Sequence, residues 1–299
     1  MIRLYHYFNN FGDDLSPYII SKLSKEKVVY RKPFSFKRSF LDFLRFFKKI
    51  FLEASFDKSL LMYSPFHKVI ISIGSILEES TSNSVVWGSG LGSRNINIKG
   101  GNFLAVRGPL SQQRLAELGF NVPTAIGDPA ILLPLIYPSG ERSIVKKFKI
   151  GIIPHKTDFH EVNEKAKNLN RSEILILNLG DVNLENAIDD IISCQYVLSS
   201  SLHGLIVAHS YNIPAVRFRK GVLFGDGSKF LDYFLSVGIS DYDPIDFQDI
   251  DFSEIENIIS AVNKFDAFSL PKNDLRELQK SLLNAAPFYV HESFKKLIN

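Results

Sequence analysis

The sequence predicts an α/β protein made of two Rossmann-like doubly wound domains that face each other across a cleft. Three observations carry this. Short apolar runs close repeatedly on glycine or a polar turn, as buried parallel strands do. They alternate with helix-length segments. The pattern halts in a linker near residues 137–148, which holds Pro138, Gly140 and Lys146-Lys147, and then restarts. A chain of 299 residues also suits two domains better than one small core. The expected division is an N-terminal domain at 1–140, a C-terminal domain at 149–270, and helices at 271–299 packing back.

Met1 to Tyr7 reads as a first strand, and Gly12-Asp13-Asp14-Leu15-Ser16-Pro17 as a turn feeding an amphipathic helix to about Leu23. Strands are expected at Val69–Ile73, closed by Gly74, at Ser84–Trp87, closed by Gly88, and at Phe103–Val106, closed by Arg107-Gly108. Pro109 in a first turn and Gly119 past the end bracket a helix to Leu118. Val122–Ile126 is a further strand, and Asp128-Pro129 opens a short helix. Beyond the linker come strand Lys149–Ile153, helix Phe159–Leu169, strand Ile174–Leu177 and helix Leu184–Ser193. Strand Tyr196–Ser199, a helix from about Gly204 to Tyr211, and strand Ala215–Phe218 follow. Helices near Ser253–Asn263, Asp274–Leu283 and His291–Ile298 close the chain.

Composition narrows the function classes. The lone Cys194 excludes an internal disulfide framework and any CxxC metal signature, and it reads as a small buried hydrophobe. The first residues lack an apolar signal core, and no stretch approaches the roughly 20 apolar residues needed to span a bilayer. A cytoplasmic protein is expected, soluble or peripheral. A net charge of +3 is too small to argue for nucleic acid. That charge is concentrated: Arg31 to Lys58 holds eight bases and three acids. Within it Phe36, Phe40, Phe43, Phe47, Ile50, Phe51 and Ala54 recur at helical spacing opposite a charged stripe, so residues 36–54 read as a basic amphipathic helix. It either packs on its own domain or touches anionic lipid at the inner face of the cell membrane.

In open α/β sheets, ligands sit beyond the carboxyl ends of strands, where helix N-termini offer free amides. The strongest such turn is Ser199-Ser200-Ser201-Leu202-His203-Gly204. Three hydroxyls, free amides and an imidazole there either form a cradle for phosphate or carboxylate with an acid/base beside it, or are only a Ser cap with a surface His. Gly88-Ser89-Gly90 either lets backbone approach a ligand or is a tight turn. Arg107 at a buried strand end needs an anion or a carboxylate partner. His155 ends a strand and faces the cleft, and Asp13 and Asp14 serve the site or cap a helix. His209, six residues beyond His203, lies on another helix face, which argues against a two-His metal pair and for packing.

Seven short motifs occur in order: Gly12-Asp13-Asp14, Gly74-Ser75-Ile76-Leu77, Val86-Trp87-Gly88-Ser89-Gly90, Val106-Arg107-Gly108-Pro109, Gly127-Asp128-Pro129-Ala130, Ile153-Pro154-His155 and Ser199 to Gly204. Together they resemble the polysaccharide pyruvyl transferase family over roughly residues 2–240. The resemblance implies a GT-B-like pair of domains. It also implies phosphoenolpyruvate as co-substrate, with no cofactor and no metal. The acceptor would be a sugar of a bacterial surface polysaccharide, such as a capsule or exopolysaccharide, or its lipid-linked oligosaccharide precursor. A cyclic pyruvate ketal would form. The resemblance maps Arg107, His203 and Asp13 or Asp14 onto the family's donor-site positions, with His203 as proton donor. It departs at Ser201, where some members carry an Arg; the missing cation would come from Arg217, Arg219, Lys229 or His155, unless the serines and amides suffice. A nucleotide-sugar glycosyltransferase on the same frame is the alternative reading, and a glycan-binding relative without turnover is a third.

Overall fold

The computed structural model describes the chain except residues 9, 36–39, 42, 43, 45, 46, 49–61, 65, 140–144, 181, 182, 222–225, 298 and 299. Most of the expected basic helix at 36–54 therefore lies outside the described residues. In the first half of the chain, β1 (Ile2–Tyr5) leads to α1 (Phe11–Ser24), then β2 (Val28–Tyr30), β3 (Lys32–Pro33) and β4 (Tyr63–Ser64). They are followed by β5 (Val69–Ile71), β6 (Ser84–Trp87), β7 (Asn102–Val106), α2 (Pro109–Glu117), β8 (Ala125–Ile126) and α3 (Leu133–Ile136). The second half runs β9 (Phe148–Ile153), α4 (Phe159–Lys165), β10 (Ile174–Ile176), α5 (Leu184–Ile192), β11 (Cys194–Ser199), α6 (Leu202–Ser210), β12 (Ala215–Arg219), α7 (Ser228–Ser236) and β13 (Ile245–Asp246). Helices α8 (Ile255–Asn263), α9 (Leu275–Asn284) and α10 (Glu292–Lys295) close it.

Two large parallel sheets result, beside a two-stranded parallel pair of β3 and β4. The first is six-stranded, in the order β2-β1-β5-β6-β7-β8, and the second five-stranded, in the order β10-β9-β11-β12-β13. Covered on both faces, their strands are apolar runs rather than alternating ones: Val69–Ile71 is wholly buried, and so are the last four residues of β9. Each sheet reverses its winding once, between β1 and β5 and between β9 and β11. Such reversals open a crevice at the carboxyl ends of the strands. An apolar cluster continuous from Leu4, Leu15 and Trp87 to Leu205, Val207 and Tyr233 joins the halves. The C-terminal helices close on the first sheet, where Trp87 Nε1 donates to Leu282 O at 2.9 Å and Gln279 Nε2 to Ile131 O at 2.7 Å.

Several elements differ from expectation. The strand expected at Val122–Ile126 is only Ala125–Ile126, with Pro123 unable to donate to a ladder. The short strands β2, β3, β4 and β13 carry too few residues for a periodic signal. Helix α7 was not anticipated. Its cap is Gly227 rather than an oxygen-bearing side chain, although Phe230, Tyr233, Phe234 and Val237 follow helical spacing.

Candidate functional site

At the first crevice, β1 feeds α1. The Asn10 side chain, not an aspartate, caps the helix by accepting from Gly12 N at 3.2 Å. Asp13 and Asp14 are therefore in the first turn, a favourable end for carboxylates. They diverge there. Asp14 is half-buried, with Oδ1 4.0 Å from His6 Nδ1. Asp13 is buried and points to the loop after β5, where a Cβ on Gly74 (φ +114°) would stand 2.5 Å from its Oδ1. Only glycine suits that conformation and that space.

At the second crevice, β11 ends at Ser199 and α6 begins at Leu202. Ser201 is its N-cap, accepting from Gly204 N at 3.4 Å. The helix thus starts two residues before the expected Gly204, and His203 lies within its first turn rather than ahead of it. The other two hydroxyls are used by the fold as well. Ser199 Oγ donates to Ile153 O at 2.7 Å, stitching β11 to β9. Ser200 Oγ donates to Asp158 Oδ2 and accepts from His155 N, both at 2.8 Å. Leu202 is buried, as an anchor should be. Gly204 packs on Ser199 Oγ and Ile153.

The imidazole of His203 crosses to the first half. It lies against Gly12, where a Cβ would stand 1.8 Å from Nδ1, and Nε2 is 3.6 Å from Asp128 Oδ2. Asp128 follows β8, is fully buried, and uses its other oxygen to cap the turn at Ala130 N at 3.0 Å. Asp13 Oδ1, Asp128 Oδ2 and His203 Nε2 are buried and have no hydrogen-bond partner among the described residues. Native proteins rarely leave such atoms unpaired without a functional reason. Burial pushes the Asp13 carboxyl up to about 7; the Asp14 and Asp128 carboxylates add to this, while His203 and Lys156 oppose it. That value suits proton transfer at neutral pH. Asp128 belongs to this cluster, yet sequence reasoning took it only as the start of a short helix. Its place in the Gly127-Asp128-Pro129-Ala130 motif was the available signal.

Of the two partners open to Arg107, an anion or a carboxylate, the structure shows a carboxylate. The Arg107 side chain is fully buried, with Nη1 donating to Ser75 Oγ at 2.9 Å, Nη2 to Leu91 O at 2.7 Å, and an ion pair from Nη2 to Asp232 Oδ2 at 3.2 Å. The carboxylate it requires is supplied by α7. The glycine loop is likewise filled by protein: Gly88 packs on Pro129, Ser89 Oγ donates to Gly74 O at 2.9 Å, and Gly90 packs on the Arg107 guanidinium.

His155 is half-buried, its Nδ1 2.8 Å from Thr157 Oγ1. Arg219 is committed to Asp243 at 2.7 Å and Asp246 at 3.4 Å. Arg217 and Lys229 share the Phe230 ring. His209 packs inside the second half between Tyr233 Oη at 3.0 Å and Ala215 O at 3.1 Å, and burial lowers its pKa to about 4. Cys194 is buried, and burial raises its pKa to about 12. Among the described residues, no group of three or more His, Cys, Asp or Glu side chains is disposed to hold a metal ion, and no helix is long and apolar enough to cross a membrane.

Fold and site together define a parallel α/β protein with acid–base groups gathered where the carboxyl ends of two sheets meet. The chain belongs to the polysaccharide pyruvyl transferase family, whose sequence signature matches residues 1–219. It is also similar to an uncharacterized protein of Acanthamoeba polyphaga mimivirus, 33% identical over 171 residues, which is 56% of this chain and 59% of that protein. No solved structure matches the chain.

Proposed function

We propose that the protein transfers a pyruvyl group from phosphoenolpyruvate to two hydroxyls of one sugar, in a surface polysaccharide or its lipid-linked precursor, and closes a cyclic ketal. The observation that carries this reading is the His203–Asp128–Asp13 cluster, with its three unpaired buried atoms in a chain of this family. The two sheets act as the halves of a GT-B-like frame, working in the cytoplasm with the acceptor presented at the membrane surface.

The chemistry needs a proton delivered to the methylene carbon of the enol and two protons removed from sugar hydroxyls. His203, held against Gly12 and facing Asp128, donates the first; the Asp128 carboxylate stabilises the imidazolium. The oxocarbenium-like carbon is attacked by one hydroxyl, and phosphate leaves as the second hydroxyl adds. Of the two hydroxyl protons, one restores the acid and the other departs with phosphate. Asp13 relays the proton of the second hydroxyl to the departing phosphate, because its raised pKa makes the carboxylate a base matched to neutral pH. Arg107 acts as a positioning residue, fixing the loops after β5 and β6 rather than touching the donor. Nothing in the family match favours the nucleotide-sugar alternative.

The test is incubation with phosphoenolpyruvate and a panel of lipid-mimetic glycosides. A product heavier by one pyruvate less one water, with phosphate released in equal amount, is expected from wild type and not from His203→Ala. Thermal stabilisation by UDP- or GDP-sugars, with none by phosphoenolpyruvate, would overturn the reading.

A further inference from the structure

Five rings meet at the carboxyl ends of β1 and β2, on the rim of the first crevice. Tyr5 closes β1 and Tyr30 closes the neighbouring β2, while His6, Tyr7 and Phe8 follow β1 directly. The Phe8 ring lies 4.7 Å from Tyr30 and 4.8 Å from His6 between centroids. Tyr5 lies 5.8 Å from Tyr7 and 5.9 Å from Tyr30. The cluster is buried at Tyr5 and His6 but opens outward, leaving Phe8 60% and Tyr7 45% exposed. Single exposed rings are ordinary, whereas a connected set of them at a crevice rim marks a place where something binds.

The rim is tied to the acid–base cluster through shared loops. His6 Nδ1 is 3.0 Å from Tyr7 O and 4.0 Å from Asp14 Oδ1. Asp14 and Asp13 follow one another in the first turn of α1, about 100° apart, so one faces the rings while the other faces Gly74 and His203. Tyr7 Oη donates to Glu79 Oε1 at 3.1 Å, in the short turn beyond the Gly74 loop. Among the described residues, the charged side chains that meet His6 and Tyr7 are thus carboxylates. Arg31, beside Tyr30, donates to the Tyr30 carbonyl at 2.7 Å. Carboxylates next to open rings disfavour an anion and suit a neutral polyol. A sugar ring presents C–H bonds on its faces and hydroxyls on its edges. The faces pack on an aromatic ring, and the hydroxyls donate to carboxylates.

We infer that Phe8 and Tyr7 form the stacking face of an acceptor subsite, on which a neutral pyranose ring lies with hydroxyls turned to Asp14. This rests on the sugar-acceptor reading above. Phe8 is backed by Tyr30 and His6, so its ring is held ready, and an aromatic side chain has little rotamer freedom to lose on binding. The Asp14 side chain is 42% exposed and accepts from a hydroxyl without being uncovered first. Its neighbour in the chain is Asp13, the proposed relay for a hydroxyl proton. The rings thus order the acceptor along the β1–α1 connection and leave the donor to other groups.

Two measurements on wild type, F8A, F8W and D14N test the subsite. One is turnover of phosphoenolpyruvate with methyl and octyl pyranosides (glucoside, galactoside and mannoside). The other is saturation-transfer NMR of the same pyranosides without donor. F8A is expected to raise KM for the pyranoside by about tenfold, and F8W to keep most of the wild-type affinity. D14N should raise it by about threefold or more. KM for phosphoenolpyruvate should stay within about twofold in F8A and F8W. Saturation should reach the pyranoside C–H protons in wild type and F8W and be lost in F8A, whose unchanged urea midpoint would exclude misfolding. If pyranosides bind and turn over equally well in wild type and F8A, the subsite is wrong while the donor reading stands. If saturation depends on Phe8 in a wild type that releases no phosphate from phosphoenolpyruvate, the subsite stands and the donor reading falls. Dependence on Phe8 for octyl but not methyl pyranosides would mean that the rings hold a lipid tail, which overturns the sugar subsite. A wild type that binds no pyranoside overturns it too.

Discussion

Arg107 with Asp232 and Asp128 with His203 are parallel constructions: each joins a residue following a strand of the first sheet to a helix of the second half. Both pairs are buried, but they are satisfied to different degrees. Around Asp232, Ser111 N donates at 2.9 Å to Oδ1 and Ser111 Oγ at 2.6 Å to Oδ2, while Arg107 reaches Ser75 and Leu91. Only the guanidinium Nε is left over. Around His203, three polar atoms have no partner, and the ring rests on bare backbone. On the proposed function, the difference separates a lock from a reaction centre. A saturated buried network specifies how the halves meet, whereas an unsaturated one has a free energy cost that only a ligand or a chemical role explains.

The comparison breaks if substitutions at the two pairs behave alike. The largest expected effect is on turnover: His203→Gln should lower kcat by about 10²–10⁴, while urea unfolding shifts by less than about 1 kcal/mol. Asp232→Asn should do the reverse. It leaves Arg107 as an unpaired buried cation, so a loss of about 3–5 kcal/mol in urea unfolding is expected. Its effect on kcat should follow the folded fraction. An Asp232→Asn protein as stable as wild type would remove the lock from Arg107.

Asp13 sharpens the comparison through pH. The folded chain holds its proton up to about pH 7, whereas the unfolded chain releases it near the ordinary 3.8. This group's contribution to stability is therefore complete below pH 3.8 and is lost as pH rises through about 7. Asn at this position carries no charge to bury. Asp13→Asn should match wild type in stability near pH 4 and exceed it above about pH 7, by at most about 4 kcal/mol. The same variant should lose turnover. Thermal unfolding midpoints across that pH range provide the check, and parallel curves would refute the burial account.

Much of this was legible from residue order. Parallel strands buried on both faces leave continuous apolar runs, so the main strands of both sheets were located to within a few residues. The Ser199–Gly204 turn was found because a strand end followed at once by small polar residues marks a crevice. What was not legible depends on the partner of each side chain. Arg107 reads the same whether its anion is a ligand or Asp232, and Asp232 lies in a helix whose glycine cap gave no start signal. Asp13 and Asp14 are adjacent in sequence, but the helix turns only Asp13 toward Gly74 and His203. Asp128 serves as a cap with one oxygen and faces His203 with the other, so the cap reading was correct and incomplete.

Gly12 gives the smallest effect and the most specific one. In an ordinary helix first turn, replacing Gly with Ala stabilises by about 0.5–1 kcal/mol. Here a Cβ would stand 1.8 Å from His203 Nδ1 and 2.3 Å from Cε1, so the ring must move. A displacement on the order of 1 Å at a reacting group can cost about 10² in rate. If the proposed function holds, Gly12→Ala should therefore lower kcat by about that factor, with KM for the proposed donor little changed. The clash also makes the two sites energetically coupled. Removing the ring with His203→Ala leaves room for the methyl group, so the double variant should be more stable than Gly12→Ala alone and should recover the ordinary helical gain. A double-mutant cycle on urea unfolding measures this coupling. Strict additivity would mean that the imidazole does not rest on Gly12 in solution, and the placement of the proposed proton donor across the crevice would have to be abandoned.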